Sequence, residues 1–372
     1  MSRFFDTRAA YNMFVNATDE KTVVADRVAA VGETLQVGQP GLRIFDAGMG
    51  DGALLSNVMR RLHRRFIYIP WLIVAKEISI EDVRQGLARL PDRFLEHPEL
   101  VVVVTNLRFP DATHLRVGAS GRWRQVALGG DTSAEFAEQI ETLYPQLAED
   151  WQVRASPRTG NPVYVNPAAV IIYRADHEFL VKPLLPSPGT PISFDLAIVS
   201  QAYRAATALE RKVELVIAPI ARSLAPGGRL IGVQAAGGDP GLEIIHSVWP
   251  DESPFPHRRW DVLEEARRQL ADKEDLRFPD LSDEEAVFRF ALHTMPSAEA
   301  ENIGTSSVLA AWNAATYVAQ IDEHRLAEAM SSGRYLDGTR RIMEKYNEIY
   351  WNDESYVIER ALPLSLDGPR FR

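Results

Sequence analysis

The run Asp46-Ala47-Gly48-Met49-Gly50-Asp51-Gly52 constrains this chain more than any other stretch. Leu42 to Ala47 is a short apolar run leading into it, and Ala53 to Leu62 carries apolar residues at helical spacing after it. Glycines between a strand and a helix let the backbone take positive φ and approach a ligand closely, while the following helix offers free N–H groups. The turn therefore predicts the first unit of an open α/β sheet, with a ligand at the turn.

Further β-branched apolar runs support that reading. Trp71–Ala75, Val101–Thr105, Leu196–Val199 and Leu230–Val233 are too continuous to have one wet face, so they read as buried parallel strands. Helical patterns at 80–95 and 207–224 supply crossovers between some of them. Residues 4–37 read as helical, with Val23, Val24, Val28, Val31 and Leu35 on one face, and Gly38, Pro40 and Gly41 stop the pattern. From 112 to 193 the alternation breaks. This stretch reads as an insertion containing a hairpin, with strand-like pieces at Val163-Tyr164-Val165 and Val170-Ile171-Ile172-Tyr173, and another at Phe179-Leu180-Val181. A second irregular region follows 236, with an alternating segment at Val287–Leu292 and a terminal strand at Tyr356-Val357-Ile358. The expected division is a helical cap (1–40), a core (41–111 and 194–236), the insertion (112–193), and a C-terminal region (237–372) that completes the sheet and acts as a lid.

Composition narrows the chemistry. With no cysteine there is no disulfide, no thiolate metal site and no thiol nucleophile. A net charge of −10 argues against a broad phosphate-binding surface, so nucleic acid is not an expected partner. No apolar run is long enough to cross a bilayer and the first residues lack a signal-peptide core, which leads to the expectation of a soluble, cytoplasmic protein without a membrane partner. Asp176-His177-Glu178 places three potential ligands in a row, but strand neighbours point to opposite faces and no metal is expected.

Two cofactors are compatible with the glycine turn. Gly48, Gly50 and Ala53 satisfy the G-x-G-x-x-G/A of a dinucleotide site, with Glu77 about 25 residues on, near where a ribose-binding acid belongs. The third glycine, however, is Gly52, and the resulting D-x-G-x-G-x-G from Asp46 resembles motif I of class I S-adenosylmethionine-dependent methyltransferases. A tight loop with an acid at its base suits a cationic sulfonium and its amino-acid tail better than a pyrophosphate. Ile73-Val74-Ala75-Lys76-Glu77 ends a strand with an acid, as in that family, and Phe194–Val199 followed by Leu224-Ala225-Pro226-Gly227-Gly228-Arg229-Leu230-Ile231 resembles its fourth strand and the turn into its fifth. The resemblance implies a Rossmann-like, mostly parallel sheet of about seven strands, the last one or two antiparallel, with helices on both faces. It implies S-adenosylmethionine as cofactor, held by Asp46, Gly48, Gly50 and Gly52 at the methionine part, by Glu77 at the ribose and by Thr105 or Asn106 at the adenine, with Ser200 near the sulfonium.

Three shorter stretches are similar to histamine N-methyltransferase. They are Phe14–Glu20, Phe194–Gln201 and Asn352–Glu359, and they carry the family's substrate-contacting acid, glutamine and asparagine onto Glu20, Gln201 and Asn352. The resemblance implies a small, amine-bearing acceptor, with Glu20 selecting the cation and taking its proton, and Gln201 and Asn352 orienting it. Tyr11, Phe14 and Tyr203 lie beside these positions and are candidates for an aromatic wall, core packing being the alternative. The insertion and a longer C-terminal half depart from that family, so an oxygen or carbon acceptor stays open, as do a nicotinamide oxidoreductase and a non-catalytic cofactor-binding protein. A homodimer is allowed, with 112–193 as a candidate arm.

Overall fold

A computed structural model describes residues 8–155, 162–293 and 305–363. Its strands, in chain order, are β1 (Leu42–Asp46), β2 (Trp71–Lys76), β3 (Leu100–Thr105), β4 (Arg122–Leu128), β5 (Val153–Ala155), β6 (Pro162–Tyr164), β7 (Ala168–Arg174), β8 (Phe194–Ser200), β9 (Leu224–Ala235), β10 (Leu276–Arg277), β11 (Val287–Ala291) and β12 (Tyr350–Arg360). Ten of them form one sheet in the order β10-β12-β9-β8-β1-β2-β3-β7-β4, with β11 also on β12. The five expected apolar runs are the parallel centre, β3-β2-β1-β8-β9. β2, β3 and β8 are buried at every residue, as strands covered by helices on both faces must be. The last strand, β12, runs antiparallel between β9 and β11. The fold is the expected Rossmann-like α/β sheet.

Three expectations need correction. The insertion is not merely a hairpin: β7 pairs antiparallel with β3 and β4 pairs with β7, so it widens the main sheet by two strands, while the hairpin proper is the small β5–β6 pair. Phe179-Leu180-Val181 is helical, within Glu178–Val181, and Phe179 is exposed; three apolar residues cannot distinguish the two periods. The region after 236 is largely helical, with helices at Pro240–His246, Arg259–Gln269, Thr305–Val318, Glu323–Ser332 and Arg334–Lys345. At the other end the N-terminal stretch is two helices, Arg8–Ala17 and Glu20–Gly32. They break at Thr18-Asp19, where Asp19 exchanges hydrogen bonds with Ala291 of β11 and Thr18 bridges Leu292.

This topology positions a site. Going outward from β1, the chain order runs one way through β2 and β3 and the other way through β8 and β9, so a crevice opens at the carboxyl ends where the order reverses. Asp46, Lys76, Thr105 and Ser200 are the last residues of β1, β2, β3 and β8 and stand around it.

Candidate functional site

The glycine loop is held by an almost closed set of hydrogen bonds. The Gly48 N–H donates to Asp46 Oδ1 at 3.1 Å, and the Gly50 N–H to Glu77 Oε2 at 2.7 Å. Asp51 accepts the Tyr11 hydroxyl, an Arg89 guanidinium at 2.7 Å and the Ala53 N–H at 3.3 Å, so a carboxylate already stands at the first N–H of the helix Ala53–His63. Gly50 and Gly52 have φ of +54° and +78°, and a Cβ on Gly52 would lie 2.7 Å from the Gly86 Cα. Gly48 differs: nothing lies closer than 3.9 Å to where its Cβ would be, and that space belongs to a cleft.

The cleft measures about 300 Å³ and is lined by Gly48, Gly50, Glu77, the Ser200–Arg204 segment, Tyr11 from the helical cap and Tyr317 from the C-terminal helix Thr305–Val318. Ser200 Oγ on its wall, and Asp46 Oδ2 in the residue that precedes the lining Ala47 and Gly48, are buried and have no hydrogen-bond partner among the described residues. Burial raises the Asp46 carboxyl from 3.8 to about 7, against the pull of the Gly48 N–H; the Glu77 charge adds to the rise and Lys21 opposes it. A buried carboxyl with one oxygen unmatched is suited to a cationic ligand group.

Glu77 is more committed than the ribose expectation requires. Its second oxygen, Oε1, accepts the Ile78 and Ser79 N–H groups at 2.7 and 2.8 Å, so three of its roughly four acceptor positions are taken. The adenine expectation needs correction. Thr105 donates to the Ala168 carbonyl at 2.6 Å, and the Asn106 amide donates to Asp150 and Asn166 carbonyls while accepting the Ala168 N–H. Both side chains bind the inserted segment to the sheet, and neither has a donor left for a base.

Glu20 and Gln201, distant in sequence, meet in a cavity of about 60 Å³ that adjoins the cleft and is walled by Phe14, Phe290 and Tyr317. Phe14 stacks on Tyr317 at 4.7 Å and meets Phe290 edge-on at 6.0 Å. Glu20 is buried and forms an ion pair with Lys21 at 2.9 Å. Burial works against the Lys21 charge, but Glu20 outweighs it and raises the ammonium above its ordinary range. Gln201 lies at φ +50°, a left-handed conformation that non-glycine residues rarely take, and its amide makes no hydrogen bond to the described residues.

Asn352 is not at this cavity. Its amide holds the Gly237 and Gly238 carbonyls at 3.2 Å and its own N–H donates to Asp239, so it orders the loop after β9. The neighbouring Asp353, passed over by sequence reasoning, is fully buried with both oxygens unpartnered among the described residues. Burial raises its carboxyl well above the usual range, Glu20 adds to the rise, and Lys21 opposes it. The signal was a carboxylate inside the final strand, next to the residue that was chosen. Tyr11 lines the cleft but chiefly ties the cap to the loop through Asp51, and Phe14 forms a cavity wall. Tyr203 reaches the cleft with its hydroxyl 3.0 Å from that of Tyr356.

No protein-family model and no curated protein matches the chain. Solved structures do, at low identity. The plantazolicin methyltransferase in complex with S-adenosylhomocysteine is 8% identical over 96% of this chain and 90% of its own, with a TM-score of 0.37. Geranyl diphosphate methyltransferase in complex with geranyl diphosphate and sinefungin is 13% identical over 91% and 78%, at 0.35. The cyclase SpnF is 14% identical over 92% and 82%, at 0.36. The strand order, rather than these superpositions, defines the fold.

Proposed function

We propose that this chain is an S-adenosylmethionine-dependent methyltransferase acting on a small molecule, with an amine nitrogen as acceptor. The observation that carries the cofactor is the unmatched, buried Asp46 oxygen beneath a loop whose Gly48 leaves the cleft open. In this reading Asp46 holds the cofactor's cationic amino-acid end, the Gly48–Gly50 backbone lies against it, Ser200 donates near the reacting centre, and Glu77 offers its remaining acceptor position to the ribose. When bound, S-adenosylmethionine supplies an electrophilic methyl carbon on a sulfonium. A nicotinamide dinucleotide fits less well, because the Asp51 carboxylate already occupies the helix start where a pyrophosphate would seek N–H groups.

The acceptor reading rests on charge and on walls. Three aromatic rings and the Glu20 carboxylate surround the small cavity, a combination that favours an alkylammonium. Two carboxyl groups, Glu20 and Asp353, stand near one lysine, and a cationic acceptor would favour the ionised form of Asp353 that burial and Glu20 disfavour. The ammonium cannot attack until it loses a proton. Glu20, with Lys21 beside it, is the group placed to receive that proton, while the unengaged Gln201 amide orients the nitrogen.

Calorimetric titration with S-adenosylmethionine, S-adenosylhomocysteine and NAD tests the cofactor. Binding of the first two, lost in Asp46→Ala, is expected; binding of NAD alone, or of nothing, would overturn the reading. Screening small amines for methyl acceptance then tests the nitrogen.

A further inference from the structure

A groove of about 960 Å³ continues from the cleft between the segments that follow β3 and β8. It meets the cleft that the reading above gives to the cofactor at Ile78 and Tyr203, with Lys76, Phe109 and Arg204 lining both. The groove is several times larger than the acceptor cavity and has a different character. Its walls carry Lys76, Arg108, Arg116, Arg204, Arg211 and Lys212 against one acid, Asp111, in a chain whose net charge is −10. Phe109, Val163 and Leu215 supply apolar surface between the charges.

Two of these cations are built in rather than scattered on the surface. Lys76 is 8% exposed and Lys212 is 2% exposed, and neither forms an ion pair among the described residues. The Lys76 ammonium lies 4.6 Å from the Phe109 ring centre, and the Lys212 ammonium donates to the Ala205 carbonyl at 2.6 Å. Burial lowers both to about 8, although Glu77 partly offsets the effect on Lys76. A buried ammonium without a carboxylate is costly, and two facing one groove leave a place for an anion. Arg108 and Arg116 are exposed at the same groove and form no ion pair among the described residues, whereas Arg204 and Arg211 are partly neutralised by Asp322 and Glu214.

We infer that this groove is a binding site for an anionic amphiphile, with a phosphate or carboxylate between Lys76, Lys212 and the arginines, and an apolar body along Phe109 and Leu215. The inference goes beyond the methyl-transfer reading and takes from it only where the groove meets the cofactor's cleft.

Octyl phosphate, octanoate and octanol share one apolar body and differ in head group, so their binding to the full chain separates charge from hydrophobicity. Below micelle formation, either anion should bind at least ~10-fold more tightly than octanol, with an affinity that falls as salt is raised. Arg108→Ala/Arg116→Ala, two exposed positions whose loss leaves the core untouched, should weaken the anions ~10-fold and leave octanol unchanged. Lys212→Met should do the same or more. Preference for the phosphate, for the carboxylate, or for both supports the site and identifies its head group. Equal binding of all three, or no binding, overturns it. S-adenosylhomocysteine titrated in parallel keeps the two readings apart: cofactor binding without anion preference removes only the groove site, and anion preference without cofactor binding removes only the methyltransferase reading.

Discussion

The glycine loop and the small aromatic-walled cavity adjoin one cleft and are built on opposite plans. Around the loop nearly every donor and acceptor is matched inside the protein: Gly48 to Asp46, Gly50 to Glu77, Asp51 to Tyr11 and Arg89. At the cavity the half-buried Gln201 amide is unengaged, and both oxygens of buried Asp353, which feels the charges of Glu20 and Lys21, are unpartnered among the described residues. A closed network fixes a shape before any ligand arrives, whereas unmatched buried groups are a standing cost that a ligand can relieve. The loop is therefore the rigid partner, and the cavity is where binding does most to complete the structure.

The sharpest way to break that contrast is to add a methyl group at two glycines of one loop. Gly52→Ala brings a Cβ to 2.7 Å from the Gly86 backbone at a φ of +78° and should cost about 3 kcal/mol or more, with cofactor binding abolished. Gly48→Ala meets nothing within 3.9 Å and should fold normally while weakening S-adenosylhomocysteine ~10-fold or more by filling the cleft. Denaturant unfolding and calorimetry on both variants check this. Equal destabilisation would mean that Gly48 serves the fold and not the ligand.

Asp46 belongs to both plans, with one oxygen matched and the other not, and pH separates them. Its carboxyl is raised from 3.8 to about 7, so the folded chain holds a proton that the unfolded chain has released. This contribution to stability is present as pH falls below about 7 and is absent above it. Asp46→Asn, permanently neutral, should therefore stabilise the free protein at pH 8 by an amount on the order of 3 kcal/mol and change little near pH 4. Affinity for S-adenosylmethionine should rise from pH 6 to pH 8 in the wild type and be weak and flat in the variant. Thermal unfolding and calorimetry across that range give both readouts.

At the cavity, Glu20→Gln should lower turnover of an amine by ~10-fold or more with little change in cofactor affinity. It also strands the Lys21 ammonium, at a cost of roughly 2 kcal/mol, and Glu20→Gln/Lys21→Met should recover the stability without the activity. Turnover that survives in both variants would remove Glu20 as the base. Gln201→Gly is subtler. Relieving a φ of +50° should stabilise the fold by about 1 kcal/mol while activity falls, a trade visible as a higher Tm with a lower kcat/KM.

How much of this was legible follows from the same contrast. The parallel centre could be read because residues such as Val101–Val104 are buried on both faces and leave a continuous apolar signature. β4 could not: Arg122-Trp123-Arg124-Gln125 lies near the sheet edge, half exposed, and has no such signature. Glu20 and Gln201 were found through motifs near the ends of regular elements. Asp353 was missed because sequence gives the order of Asn352, Asp353 and Glu354 but not the face each takes. On β12, Asp353 turns away from the Arg258, Arg259 and Gln234 groups that donate hydrogen bonds to Glu354. Lys76 is hidden for a related reason: sequence shows a lysine beside Glu77 but not that its ammonium is buried against Phe109.

The smallest expected effect concerns where the insertion meets the core. Thr105 was expected to face the adenine, yet its hydroxyl donates to the Ala168 carbonyl and accepts the Leu107 N–H, which fixes the start of β7 against the end of β3. Thr105→Val keeps the shape and removes those bonds, leaving a carbonyl and an N–H unmatched in a buried setting, at a cost of about 1 kcal/mol. Because the side chain has no donor directed at the cleft, S-adenosylhomocysteine affinity should stay within about twofold of wild type. A loss of affinity larger than the loss of stability explains would return Thr105 to the adenine site. Unchanged affinity with a lower Tm would establish that the inserted strands are joined to the core through a residue at the cleft's edge without taking part in binding there.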